Sequence, residues 1–191
     1  MAVNLQKGGN TSLTSSNPGL KKIIVGLGWD GRATAGDDFD LDASAFILNE
    51  SGKVRRDDDF IFYNNATSQC GSVKHLGDNL TGAGDGDDEQ VEIDLSKIQS
   101  DVKKVAVCVS IHEAVSRRQN FGMVQNAFIR VIDASSNEEL ARFDLSEDFS
   151  IETSVVFGEI YKHNEEWKFK AIGQGYSGGL ENLLANFGIS L

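Results

Sequence analysis

Proline is almost missing from this 191-residue chain, with Pro18 as its only example. Sheets can therefore run without a residue that removes a ladder hydrogen bond, and no stretch reads as a linker. Cysteine is nearly as scarce. Cys70 and Cys108 are too few and too far apart for a C-x-x-C zinc or redox site, or for a disulfide framework; both read as buried or idle thiols. Histidine occurs only at His75, His112 and His163, scattered positions that read as structural or surface. A basic surplus is also lacking. With 18 Lys and Arg against 29 Asp and Glu the net charge is −11, which excludes nucleic acid as a partner, because phosphate binding needs a basic footprint. No run approaches the roughly 18 apolar residues of a membrane helix. The N-terminal Met1-Ala2-Val3-Asn4-Leu5-Gln6-Lys7 has no apolar h-region behind a basic lead, so the expected location is the cytoplasm.

What the chain does have is enough apolar content for a core. Apolar residues make up 40% and include 11 Phe, and the length suits one domain over residues 1–191. Short runs rich in Val, Ile and Phe are separated by Gly, Asn, Asp and Ser, a strand pattern. The first candidates are Val3–Gln6, Lys22–Leu27, Phe39–Leu48, Phe60–Tyr63, Ser72–Leu76 and Gln90–Leu95. The later ones are Lys103–Ile111, Asn126–Asp133, Glu139–Leu145, Val155–Lys162 and Glu166–Ile172, the last two joined by a hairpin turn around Asn164. Leu180, Leu183, Leu184 and Phe187 after Gly178-Gly179 keep helical spacing, and Glu113–Gln119 could add one helical turn. The expected fold is all-β, an antiparallel β-sandwich with a short C-terminal helix.

The negative charge is confined. Residues 30–42 hold five acids and one base, residues 78–94 hold seven acids and no base, and the rest of the chain is neutral. In Asp38-Phe39-Asp40-Leu41-Asp42, strand periodicity places three carboxylates on one face and Phe39, Leu41 and Ala43 on the other. Neighbouring carboxylates about 7 Å apart repel by roughly 0.6 kcal/mol in bulk water and by more near a sheet of low dielectric. A divalent cation reverses that sign. In Gly77-Asp78-Asn79-Leu80-Thr81-Gly82-Ala83-Gly84-Asp85-Gly86-Asp87-Asp88-Glu89, carboxylate, amide and hydroxyl oxygens alternate with glycines that allow a chain to wrap an ion. These donors suit Ca²⁺, which takes six to eight oxygens. The expected ligands are Asp30, Asp38, Asp40 and Asp42 from the first segment and Asp78, Asn79, Asp85, Asp87, Asp88 and Glu89 from the second. The plain alternative is an acidic solvent face and a loose charged loop. Neither segment fits the EF-hand pattern, and without His or Cys neither suits zinc or copper. Trp29 is expected to be partly wet without metal and to be ordered by it. Asp57-Asp58-Asp59 reads as a solvated turn.

Gly26-Leu27-Gly28-Trp29-Asp30-Gly31 matches G-x-G-x-x-G but is followed by acids rather than a helix start, so a pyrophosphate would be repelled. Gly82-Ala83-Gly84-Asp85-Gly86 lacks the Gly-Lys-Ser/Thr ending of a phosphate-binding loop.

At Leu27-Gly28-Trp29-Asp30, Asp38-Phe39-Asp40-Leu41-Asp42-Ala43-Ser44, Phe62-Tyr63-Asn64-Asn65 and Gly77-Asp78-Asn79 with Gly84-Asp85-Gly86-Asp87-Asp88-Glu89, the chain resembles the TerD family of bacterial tellurite-resistance and stress proteins. Gln119-Asn120-Phe121-Gly122, Arg142-Phe143-Asp144-Leu145 and Gly175-Tyr176-Ser177-Gly178-Gly179 extend the likeness over nearly the whole chain. The resemblance implies a calcium-binding β-sandwich acting in resistance to tellurite and other stresses, with other Ter-family proteins as partners and a membrane-associated complex as one setting. It implies a non-catalytic signalling or scaffold module. The competing reading is a Mg²⁺-dependent phosphohydrolase using the same carboxylates. A hydrolase needs a nearby base or phosphate clamp, and the acidic windows contain only Arg32, although Arg117-Arg118 lies elsewhere in the chain.

Overall fold

The structure is a computed structural model and describes residues 2–30, 36, 38–77, 86–145 and 149–190. Within these, the early strands are β1 (Val3–Asn4), β2 (Asn10–Ser12), β3 (Lys22–Asp30), β4 (Leu41–Leu48), β5 (Phe60–Ile61) and β6 (Val73–His75). They are followed by β7 (Glu89–Asp94), β8 (Lys104–Ile111), β9 (Gln125–Asp133), β10 (Glu139–Asp144), β11 (Ser154–His163) and β12 (Glu166–Tyr176). Two α-helices complete the set, α1 (Ala114–Arg117) and α2 (Gly179–Asn186). The first sheet runs β1-β10-β9-β3-β7-β6 and the second β2-β12-β11-β8-β4-β5.

This is the expected β-sandwich with its C-terminal helix, with one departure from a wholly antiparallel arrangement. β1 pairs with β10 in parallel. After β1, a turn in which Gly9 N–H donates to Gln6 O and Gly8 takes a positive φ leads the chain into β2 in the second sheet. β2 itself was not expected, because Asn10-Thr11-Ser12 is short, polar and without apolar alternation. The hairpin between β11 and β12 turns where anticipated: Asn164 and Glu165 both have positive φ, the geometry that matches strand twist in a two-residue loop.

Alternating side chains of both sheets make the core. Ile23, Val25, Leu27 and Trp29 of β3 and Val91 and Ile93 of β7 lie in one buried cluster with Leu41, Ala43, Ala45 and Ile47 of β4 and Val105, Val107 and Val109 of β8. The outer face of the second sheet is apolar as well. Phe46, Leu48, Ala106, Cys108 and Val156 cluster there with Leu183, Leu184 and Phe187 around α2, and the Phe46 and Phe187 rings are 4.4 Å apart. β4 and β8 are thus covered on both sides, which is why their burial is nearly continuous instead of alternating.

The surroundings of four further side chains bear on local expectations. Trp29 is 5% exposed, its place on β3 alternating it into the core. Asp59 is also buried, because Arg55 clamps its carboxylate with bonds of 2.9 and 2.8 Å, and that carboxylate raises the Arg55 pKa. The 57–59 turn is therefore not simply solvated. Cys108 is buried, and burial pushes its thiol pKa up. Cys70 is half-buried; burial opposes its ionisation, but contacts with the Ser72 and Ser68 hydroxyls outweigh it and lower the pKa.

Candidate metal centre

The antiparallel register brings the acidic segments to one end of the sandwich. Leu27 pairs with Glu89, so the end of β3 meets the start of β7, and Asp30 pairs with Gln125 at the start of β9. Glu89 joins the start of β4 to the same end: Ala43 N–H donates to its Oε2 at 2.5 Å across the sandwich. The residue is 2% exposed, because its position on β7 faces inward in line with Val91 and Ile93. His75 of neighbouring β6 places Nε2 3.4 Å from the same carboxylate oxygen. A buried carboxylate is costly unless paired or hydrogen-bonded, and these two groups hold it between the sheets.

Asp88 accepts the Trp29 N–H at 2.8 Å, while its own N–H donates to Leu27 O at 2.7 Å. Burial raises the Asp88 pKa; the Trp29 bond opposes this, and the nearby Asp87 and Asp30 carboxylates add to it. Asp30 is exposed, and Asn126 Nδ2 donates to its Oδ2 at 2.5 Å. Asp87 turns elsewhere. Its side chain is 1% exposed over the outer face of the first sheet, where Arg130 Nε donates to it at 2.7 Å and Gln90 Nε2 at 3.0 Å. Arg130 also reaches Glu139 at 3.2 Å, and its bond to Asp87, ahead of opposing burial, raises its pKa.

The two glycines of the G-x-G match explain this placement. A Cβ on Gly26 would fall inside the Asp87 carboxylate, and one on Gly28 would press on the Phe128 ring and lie 2.8 Å from Gly86 O. Both are strand residues whose missing side chains let the acidic segment lie against β3.

The alternation read at 38–43 is present: Phe39, Leu41 and Ala43 are buried, Asp38 is exposed, and Asp40 and Asp42 are half-buried. The regular strand begins only at Leu41. This segment lies beside residues 112–119. Asp40 O accepts the His112 N–H at 2.8 Å, Asp40 Oδ2 is 3.9 Å from Arg117 Nη1, and Asp42 Oδ2 is 3.7 Å from His112 Nδ1. Asp38 O accepts from Gln119 Nε2 at 3.3 Å. Sequence reasoning weighed Arg117 only as a clamp for the hydrolase reading and did not single out Arg130, His75, His112 or Gln119 as neighbours of the site. Gln119 belonged to a motif already noted, and the other four carry no local signal of their partner.

Asp30, Asp88, Glu89 and the 38–42 segment thus share one end of the sandwich, while Asp87 is engaged by Arg130. Asp78, Asn79 and Asp85 lie outside the described residues. Among the described residues, no three His, Cys, Asp or Glu side chains converge as a metal cluster. The proposed donors gathered at this end are hard oxygens of the kind that suit Ca²⁺.

Residues 1–187 match the TerD domain. The chain belongs to the TerD family. It is 57% identical over 190 residues to the tellurium resistance protein TerD of Serratia marcescens, covering 100% of this chain and 99% of that one. It is 52% identical over 192 residues to general stress protein 16U of Bacillus subtilis, covering all of both. A solved homologue of the telluride resistance protein TerD from Streptomyces coelicolor A3(2) superposes with a TM-score of 0.69 over 87% of this chain and 96% of that one; at 22% identity it bears on the fold alone. Family membership accounts for the breadth of the likeness, since the acidic motifs and the strands that gather them fall within the matched residues.

Proposed function

We propose that this TerD-family protein binds calcium at the acidic end of the sandwich and acts in tellurium resistance or stress response as a non-catalytic signalling or scaffold module. The supporting observation is electrostatic: Asp30, Asp88, Glu89 and the 38–42 segment share one end of the fold, and the Asp88 pKa is raised there by burial and by Asp87 and Asp30. A cation would remove that repulsion. Two or more ions would be held by Asp30, Asp88 and Glu89 from the first sheet, by Asp38, Asp40 and Asp42 beside the second, and by Asp78, Asn79 and Asp85, with Asp87 joining them only by leaving Arg130. Bound calcium would supply positive charge, and the carboxylate oxygens would coordinate it. The protein's own contribution is to fix Glu89 through Ala43 and His75 and to position the 38–42 segment through His112 and Gln119. A carboxylate-dense, glycine-linked segment favours a large ion with irregular coordination over a small octahedral one. Calorimetric titration of metal-stripped protein should show tighter binding of Ca²⁺ than of Mg²⁺. Equal occupancy in competition would remove the calcium reading.

Other Ter-family proteins are the proposed partners. TerX and TerZ of Serratia marcescens are relatives at 38% and 37% identity, and association is tested by co-purification with and without Ca²⁺. Among the described residues no helix is long and apolar enough to cross a membrane, and a cytoplasmic location is proposed with the module. One observation favours the hydrolase alternative: the basic Arg117 approaches Asp40, and the His112 imidazole approaches Asp42. Turnover of p-nitrophenyl phosphate that requires Mg²⁺ and disappears in Arg117→Ala would establish that reading.

A further inference from the structure

The outer face of the second sheet carries a cavity of about 730 Å³, a size typical of small-molecule sites. The cross-strand neighbours Asp42 and Ser110 form its floor, with Ser44 beside them. Phe60, Phe62 and Tyr63 make one wall. The turn at 112–116 and the start of α2 at 178–181 make the others. The lining is mainly apolar, and its charge has one sign. Asp42, Glu113 and Glu181 contribute carboxylates, while no Lys or Arg lines it among the described residues. His112, 3.7 Å from Asp42, is the only lining group able to add positive charge.

The start of α2 brings roughly half a positive charge. Glu181 stands in that first turn, and the Gly179 N–H is already taken by Thr153 Oγ1 at 2.8 Å. Glu113 is paired with Arg117 at 3.6 Å, so the negative balance of the cavity rests on Asp42 and Glu181. The Ser44 hydroxyl is buried and has no hydrogen-bond partner among the described residues. Buried hydroxyls are normally paired, so a donor arriving at the floor meets an unclaimed acceptor. The half-exposed Tyr63 ring stands edge-on to Phe62 at 5.3 Å and offers apolar surface and a π face to a cation.

We propose that this cavity binds a small organic cation, with a primary ammonium or guanidinium head at Asp42, Ser44 and Ser110 and an apolar stem against Phe62 and Tyr63. The three-sided concavity holds one compact ligand, which favours a free small molecule over an extended chain. The site does not depend on the calcium reading, although Asp42 belongs to both.

The test is calorimetric titration of the full chain, in calcium-free buffer with a chelator, using 4-phenylbutylamine, the neutral 4-phenylbutanol and the anionic 4-phenylbutyrate. The amine should bind saturably at one site, the alcohol at least about tenfold more weakly because it lacks the charge-assisted bond, and the acid not at all. Asp42→Asn should weaken the amine about tenfold and leave the alcohol unchanged. If that variant does not fold, Glu181→Gln should weaken the amine selectively by a smaller factor. Backbone amide shifts caused by the amine should map to 42–44, 60–63, 110–116 and 178–181. Absence of saturable amine binding, equal affinities for amine and alcohol, or shifts elsewhere would overturn the proposal. Loss of Ca²⁺ binding with these results intact would remove only the calcium reading.

Discussion

At the start of β7 the Asp88 pKa is raised by burial and by two neighbouring carboxylates, whereas at the end of the same strand the Asp94 pKa is lowered. Burial also opposes ionisation at Asp94, but there it is outweighed. Ser96 donates from N at 3.1 Å and from Oγ at 2.5 Å, and Lys97 Nζ stands 3.5 Å away. One end of the strand thus closes its charge with local donors, while the other collects acids from three segments. The difference is one of partners within two or three residues: Ser96 and Lys97 follow Asp94, whereas Asp88 has Asp87 and Glu89 as its immediate neighbours.

Calcium tests the contrast most strongly. Ligand that binds only the folded state contributes about 2.7 kcal/mol per site at 100 times the dissociation constant, which for a chain of this length is a rise in melting temperature of roughly 5–10 °C. Asp40→Asn should remove much of the rise and Asp58→Asn should not. A melting curve of metal-stripped protein that millimolar Ca²⁺ leaves unmoved would make the two ends equivalent. Next in size is Asp87→Asn. It weakens a buried, charge-assisted pair with Arg130 and should cost about 2 kcal/mol in chemical denaturation even without metal. An unchanged midpoint would show that Asp87 is not held on the outer face.

Asp94→Asn should cost about 1 kcal/mol at neutral pH, since the amide oxygen keeps the bonds from Ser96 and only the charge facing the exposed Lys97 is lost. The sign follows from the lowered pKa. The ionised form is favoured in the folded state, so its contribution is present above the ordinary carboxylate pKa and fades as pH falls through the folded value. The gap between variant and parent should close in acid, and a gap independent of pH would reject the assignment. Asp88→Asn should have the smallest effect and the opposite sign. A raised carboxyl pKa means that ionisation disfavours the metal-free fold, so stability from this group falls as pH rises through the carboxylate range. Removing the charge should raise the metal-free melting temperature slightly at neutral pH, and a lower temperature would argue against crowding.

Much of the sandwich is legible in order along the chain, because periodicity is a local property. The Phe39, Leu41, Ala43 alternation, the hairpin at Asn164 and the apolar stripe of α2 each follow from residues within a few positions of one another. The short polar β2 and the parallel pairing of β1 were illegible for the complementary reason: pairing is chosen by the neighbour, not by a strand's own pattern. For the candidate site, composition pointed to the acidic segments but not to where each carboxylate turns.

The sequence by itself determined that acids are concentrated in two segments, that short alternating strands build a sheet protein, and that Gly26 and Gly28 interrupt the side chains of β3. Only the tertiary structure decided that those glycines seat Asp87 and Gly86, that Asp87 belongs to Arg130, and that Glu89 faces inward to tie Ala43 to His75. The physical reason is range. Backbone periodicity and charge density act between near neighbours in the chain, whereas a buried carboxylate must be satisfied by whichever donor the sheet register brings beside it, 43 residues away in the case of Arg130 and Asp87.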